Sequence, residues 1–288
     1  MSSRSTIALL ASLLVTTSAA SAQITVTLRD GTTVRATGLT AQGTRLSLTP
    51  EGGGAPRVVE AATVERVDML QPAVLTETYA AFASGDNVRT LQAMGKLRVE
   101  LEPLKSIAGG REWWLEGEFL RAHILISQRR IKEMEEAMKV IAADATDPVA
   151  QRHAQAFLAH AVGLAGDPRK ALEQLRPIIL NARDPETLAD AWLFTGIHRT
   201  AVNEQQDALV AFLRVPVFYP ALAIPLAGSR LGAARCLVAL EDRAGARRIL
   251  KELVASEPNS QTGAEGKKLL SQVEKDLGIS STATDASQ

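Results

Sequence analysis

The 288-residue chain has one cysteine, Cys236, and four histidines. A lone thiol cannot form an intramolecular disulfide, so packing must hold the fold, and a Cys among Ala234, Leu237 and Val238 reads as a buried, inert thiol. One Cys and four scattered His cannot assemble a closed zinc site of ordinary spacing, and H-E-x-x-H is missing. So are G-x-S-x-G, the P-loop pattern and G-x-G-x-x-G, while Gly52-Gly53-Gly54 has no helix after it to receive a phosphate. Charge of one sign is lacking as well. With 32 Lys+Arg against 32 Asp+Glu, no global field draws the chain to nucleic acid or to an anionic membrane. Aromatic residues are only 4% of the chain, so the core must come from small and straight-chain aliphatics, a helix-forming composition. These absences argue for a protein that is not an enzyme and carries no cofactor or metal. The carboxylates Glu133, Glu135 and Glu136 fit a solvated helix face opposite Ile131, Met134 and Met138.

The first 22 residues stand apart. Arg4 precedes a short apolar stretch, Ile7 to Val15, and Ala20-Ser21-Ala22 stands before Gln23. This order reads as a secretory signal peptide over residues 1–22 with an A-x-A cleavage site. Gln23 rather than a Cys stands directly after that site, which argues against a lipoprotein anchor, and no apolar run is long enough for a transmembrane segment. The expectation is export to the periplasm or cell envelope.

From Gln23 to about Leu70 the pattern has period two. Ile24, Val26 and Leu28 alternate with polar residues, Asp30-Gly31 marks a hairpin turn, and Val34 and Ala36 resume the alternation. Leu46 and Leu48 suggest a third strand, the run from Pro50 to Gly54 a loop, Val58 and Val59 a fourth strand, and Val64 and Val67 a fifth. The layout resembles small SH3-like or Sm-like barrels that follow signal peptides in bacterial envelope proteins. That resemblance implies a protein-contact or docking role for residues 23–70, since the segment lacks the basic aromatic surface an RNA-binding module would show.

Pro72 ends the β region, and helical periodicity takes over. The stretch from Ala191 to Pro220 places Trp192, Gly196, Ala208, Phe212 and Pro220 at the Trp, Gly, Ala, Phe and Pro positions of a tetratricopeptide repeat, without a gap. Small residues there let two helices cross closely, the large ones fill the gap between successive pairs, and Pro220 stops the second helix. Ala246, Leu250 and Pro258 match the later positions of a following repeat, and Ala171 and Leu175 those of a preceding one. Ala171, Ala208 and Ala246 are 37 and 38 residues apart, and Met134 and Met138 carry the pattern 37 residues further upstream. Gly85-Asp86 and Gly166-Asp167 read as turns inside pairs, and residues 98–110 as an irregular extension that breaks the spacing. The chain thus resembles a tetratricopeptide (TPR-like) repeat protein of the bacterial envelope: a mainly α helix-pair solenoid over residues 71–278, a small β module before it, and a polar tail over 279–288.

That resemblance implies a groove lined by the first helix of each pair and a protein or peptide partner held in it. In this register the groove-facing residues are His123, His160, Ile197 and Arg235, after Tyr79, with a second series of Glu116, His153 and Asp190. Two readings stay open for the histidines: a polar groove that is pH-sensitive or metal-capable, or three solvent-exposed histidines with no common role. Repeats that clamp a C-terminal carboxylate use Lys and Asn where this chain has Ala156, His160, Leu193 and Ile197, so that clamp is not supported. The function expected is a non-enzymatic interaction scaffold. The alternative is a structural or accessory subunit of an envelope or secretion complex, docked through its β module, and a third reading is an enzyme of unrecognised type, which would need a deep enclosed pocket with convergent polar groups. The adjacent Trp113 and Trp114 point about 100° apart on a helix, leaving room for one core ring and one contact ring.

Overall fold

The computed structural model describes residues 24–279. The expected signal peptide lies outside the described residues, as does the expected tail from residue 280 on.

Strand β1 (Ile24–Leu28) buries Ile24, Val26 and Leu28, the alternate residues that a pleated strand turns to one face. Gly31 reverses the chain at a φ of +84°, a left-handed conformation that suits glycine, and Asp30 Oδ1 accepts from the Thr32 N–H at 2.8 Å. Strand β2 (Thr33–Gln42) pairs antiparallel with β1 and then with β3 (Arg45–Pro50), its register shifting between Ala36 and Gly38. Pro50 belongs to β3 rather than to the loop, because it pairs with Ala36 beside this irregularity, where proline is tolerated. Strand β4 (Arg57–Glu60), a 3-10 turn (Ala61–Thr63) and β5 (Val64–Asp68) complete an antiparallel sheet in the order β4-β3-β2-β1-β5.

Eleven helices follow among the described residues: α1 (Ala73–Ala83), α2 (Asn87–Leu101), α3 (Gly110–Ser127), α4 (Ile131–Ala142), α5 (Pro148–Leu164), α6 (Pro168–Asn181), α7 (Pro185–Ala201), α8 (Gln205–Phe218), α9 (Ala223–Ala239), α10 (Arg243–Ser256) and α11 (Gln261–Asp276). Asp86, Asp147, Asp167, Asp184 and Asp242 cap α2, α5, α6, α7 and α10, each side chain accepting from backbone N–H groups of the first turn. Three of these caps precede Pro148, Pro168 and Pro185, whose fixed φ suits the first helical position. Every pair turns through one left-handed residue: Gly85, Arg129, Gly166, Asn203 and Glu241. From Arg129 onward these are spaced 37, 37 and 38 residues, so each first helix ends in the same way.

The second helices bury equivalent residues. Met134, Ala171, Ala208 and Ala246 are fully buried, and so are Met138, Leu175 and Leu250, with Phe212 nearly so. A Cβ at Gly196 of α7 would lie 2.6 Å from the Phe212 ring, and one at Gly232 of α9 only 2.4 Å. Phe212 is therefore a wedge seated between two first helices at positions where only glycine leaves room. Trp192 is half-buried, with the Arg214 guanidinium 4.3 Å above its ring, while Phe194 takes the buried position two residues on. Helix α8 contains Pro216 and stops before Pro220. Trp113 and Trp114 are both half-buried, and the Trp114 indole N–H donates to Glu102 at 3.3 Å.

One apolar cluster runs from Val26, Leu46 and Val67 of the sheet through Leu97, Leu101, Leu104 and Leu120 to Phe212, so sheet and helices share a core. The irregular segment after α2 has a structural cause. Its 3-10 turn (Glu102–Leu104) leads to Ala108, whose carbonyl accepts from the Val67 N–H at 2.9 Å and covers the outer edge of β5. Among the described residues nothing pairs with the opposite edge, β4.

Phe212→Ala is expected to cost about 3–5 kcal/mol in urea unfolding. A loss under about 1 kcal/mol, the range of ordinary surface changes, would contradict the wedge.

Candidate functional site

Helical spacing aligns rings on three successive first helices. Phe119 and His123 stand four apart on α3; His153, Phe157 and His160 follow at four and three on α5; Asp190, Phe194 and His198 follow at four and four on α7. Stacking then joins the helices. Phe119 lies 3.8 Å from His153 between ring centroids, and His160 lies 4.1 Å from Phe194 with the planes 5° apart. Phe157 meets His123 and Phe194 edge-on at 5.0 and 5.1 Å. Such contacts add about 0.5–1.5 kcal/mol each beyond burial.

At one end of this ladder Asp190 is almost wholly buried. Its Oδ2 accepts from His153 Nε2 at 2.8 Å and from His123 Nε2 at 3.2 Å. An ionised carboxylate only accepts, which puts the proton on Nε2 of both imidazoles. Burial pushes the Asp190 carboxyl up, but His123 and then His153 outweigh that and hold it below the usual carboxylate range. At the other end His160 Nδ1 and His198 Nε2 stand 2.9 Å apart, one donating and the other accepting. Burial lowers the His160 pKa to about 3, helped by His198 and His123 against Asp190, and burial lowers His198 to about 4. His198 packs so closely on α5 that a Cβ at Gly163 would lie 2.1 Å from its ring.

Above the Asp190 end opens a cleft of about 770 Å³. Its walls come from Tyr79 of α1, Glu112, Leu115, Glu116, Phe119 and His123 of α3, Val149 and His153 of α5, and Glu186 and Asp190 of α7, closed on one side by Ala221 to Pro225. The Tyr79 hydroxyl donates to Glu116 Oε1 at 3.3 Å. Burial raises the Glu116 carboxyl against that bond, and the nearby charge of Glu186 raises it further.

Of the residues singled out from sequence, Glu116, His123, His153 and Asp190 meet in this cleft, with Tyr79. His160 does not line it; it is buried beneath, 1% exposed. Ile197 is half-buried away from it, and Arg235 is exposed and paired with Glu265 of α11 at 2.7 Å. The reading of three solvent-exposed histidines is corrected. His153, His160 and His198 are buried and His123 nearly so, because their ridges lie between stacked first helices where ring neighbours and Asp190 satisfy them. Among the described residues no three His, Cys, Asp or Glu side chains are arranged to hold a metal ion. Sequence reasoning missed Phe119, Phe157 and Phe194, though their spacing of 38 and 37 residues repeats the period. It also missed Glu112 and Glu186, one turn before Glu116 and Asp190.

No family model matches the chain, and a search of curated proteins returns no match. Among solved structures, one match is the crystal structure of a point variant of a Podosopora anserina kinesin light chain with nearly identical TPR-like repeats. It has a TM-score of 0.37 and 15% identity, covering 72% of this chain and 96% of that one. The class follows from the chain's own packing: a mainly α, TPR-like array of helix pairs with a small antiparallel sheet at its N-terminal end. Among the described residues no helix is long and apolar enough to cross a membrane.

The paired histidines set a pH dependence. Unfolded imidazoles titrate near 6.5, so between that pH and the lowered folded values of about 4 and 3 the unfolded chain binds more protons. Their contribution is complete above about pH 6.5 and is lost as pH falls toward 4. His160→Phe keeps a ring against Phe194 and is expected to flatten the fall of the urea midpoint across that window. An unchanged slope would refute the assignment.

Proposed function

We propose that the protein is an exported scaffold, without catalytic activity or cofactor, that holds a segment of a protein partner in the cleft of its first helices. The observation that carries this is the cleft itself, a space of about 770 Å³ framed by four successive first helices and large enough for several side chains. Export rests on the order of Arg4, the apolar stretch and Ala20-Ser21-Ala22, and intact mass of the native protein is expected to lack residues 1–22. The sheet is assigned to the small SH3-like or Sm-like barrels; its β4-β3-β2-β1-β5 order, register shift in β2 and 3-10 turn before β5 support that assignment.

A second reading, an accessory subunit of an envelope complex, is favoured by the open edge of β4, where Val58 is 59% exposed. Photo-crosslinking in intact cells separates the two. A crosslinker at Val149 in the cleft is expected to capture a specific chain, while one at exposed Val210 on α8 does not. Capture from Val58 alone would favour docking through the sheet, and equal capture from all three positions would refute the cleft.

A further inference from the structure

The cleft is charged as well as shaped. Six carboxylates line it, Glu112, Glu116, Asp147, Asp184, Glu186 and Asp190, and among the described residues no Lys or Arg does. Two of these have structural work, since Asp147 and Asp184 cap α5 and α7. Asp147 is also 3.7 Å from Arg111. Asp190 ties His123 and His153 together and Glu116 accepts from Tyr79, yet these bonds leave the net negative charge of the cleft in place. Glu112 and Glu116 stand one turn apart on α3, Glu186 and Asp190 one turn apart on α7, and Glu186 is near enough to Glu116 to disfavour its ionisation. Like charges held together on facing helices lower stability unless a cation joins them.

Asp190 supplies an independent sign of an unfilled position. It is 3% exposed and lines the cleft, and among the described residues its Oδ1 has no hydrogen-bond partner. His123 Nε2 is 3.2 Å from both carboxylate oxygens but is aligned only with Oδ2. A buried carboxylate oxygen left without a donor is costly, and because Oδ1 is sealed from solvent its charge acts through the floor of the cleft, where it favours a cation. The remaining walls, Leu115, Phe119, Val149 and Ile224, are apolar.

We propose that the cleft takes an extended protein segment bearing lysine or arginine beside apolar residues, its cationic head among Glu116, Glu186 and Asp190 and its apolar neighbours on the opposite wall. The proposal rests on the reading of the cleft as a protein-docking groove and adds the chemistry of the docked segment. Charge complementarity selects the occupant: an acidic segment would meet six carboxylates, and a purely apolar one would bury Glu116 with the Tyr79 hydroxyl as its one side-chain donor among the described residues and add nothing to offset the negative charge.

The test uses the full chain and labelled synthetic octapeptides in which leucine alternates with arginine, lysine or glutamate, read by fluorescence polarisation near neutral pH. The basic peptides are expected to bind and the glutamate peptide not to. Added salt should weaken binding, and Glu116→Gln with Glu186→Gln should weaken it about tenfold or more. Should that double variant lose its helical circular dichroism, Glu112→Gln with Glu186→Gln, both at exposed first-turn positions, replaces it. Binding no stronger than that of the glutamate peptide, or binding indifferent to both variants, would overturn the proposal. Equal occupancy by spermine or calcium at matched concentration would also overturn it, in favour of a small cation. If the Val149 crosslinker captures a partner while the basic peptides fail, the docking groove survives and its cationic preference does not. If the peptides bind and no partner is captured, the reverse holds.

Discussion

Asp190 is a buried charge shared by two histidines from two other helices, and the arrangement of the middle of the solenoid depends on it. A carboxylate at that depth is tolerated only with donors in place, and α3 and α5 provide one each. Removing one partner of such a buried pair typically costs about 3–5 kcal/mol, because the charge left behind is neither solvated nor bonded. The bond from His123 crosses from α3 to α7, and that from His153 joins α5 to α7, so neither first helix can slide past α7 without stranding it. The ring contacts of Phe119, Phe157 and Phe194 fix the same three helices through dispersion, and the two restraints reinforce one another. The cleft lies directly over this tie, and its floor is as rigid as the ladder beneath it.

The N-terminal sheet extends that rigidity. It has no core of its own, since Val26, Leu46 and Val67 join the same apolar cluster as Leu97 and Leu120. Residues 102–110 leave the repeat spacing in order to lay Ala108 along β5, which fastens α3 to the sheet. One side of the cleft is thereby anchored through α3, and the other is closed by the connection between α8 and α9. The pairs from α9 onward pack in part around a second cluster, Ala246, Leu250 and Val273 among its members, and contribute only their first residues to the cleft.

Much of this was legible in the chain. The 37- and 38-residue recurrence of Ala171, Ala208 and Ala246 places the second helices because small residues suit a close crossing, a constraint that shows in residue type, while Met134 fills the equivalent buried place in α4. The strands were equally readable, since Ile24, Val26 and Leu28 alternate strictly. The site was half legible. Register alone brings Glu116, His123, His153 and Asp190 to the first helices, but not the depth at which each lies. His160 and Asp190 sit on the same kind of ridge, yet one is sealed beneath Phe194 and the other faces the cleft, a difference set by how the helices stack. Glu112 was open to the same register, since it lies 74 residues before Glu186, the spacing that also separates Glu116 from Asp190. Arg235 fell outside because α11 covers the last pair and supplies Glu265 to it.

Hydrogen–deuterium exchange on Asp190→Asn, compared with the unchanged protein, tests the tie most directly. Asparagine keeps the shape and loses the charge: its amide oxygen can stand where Oδ2 accepts from both imidazoles, but two charge-assisted bonds become weaker neutral ones. If Asp190 holds the middle helices in place, backbone amides of α3, α5 and α7 around the cleft will lose protection, while the sheet and α10 keep theirs. Unchanged protection throughout α3, α5 and α7 would show that the apolar ring contacts alone set the cleft and would contradict the role given to the buried carboxylate.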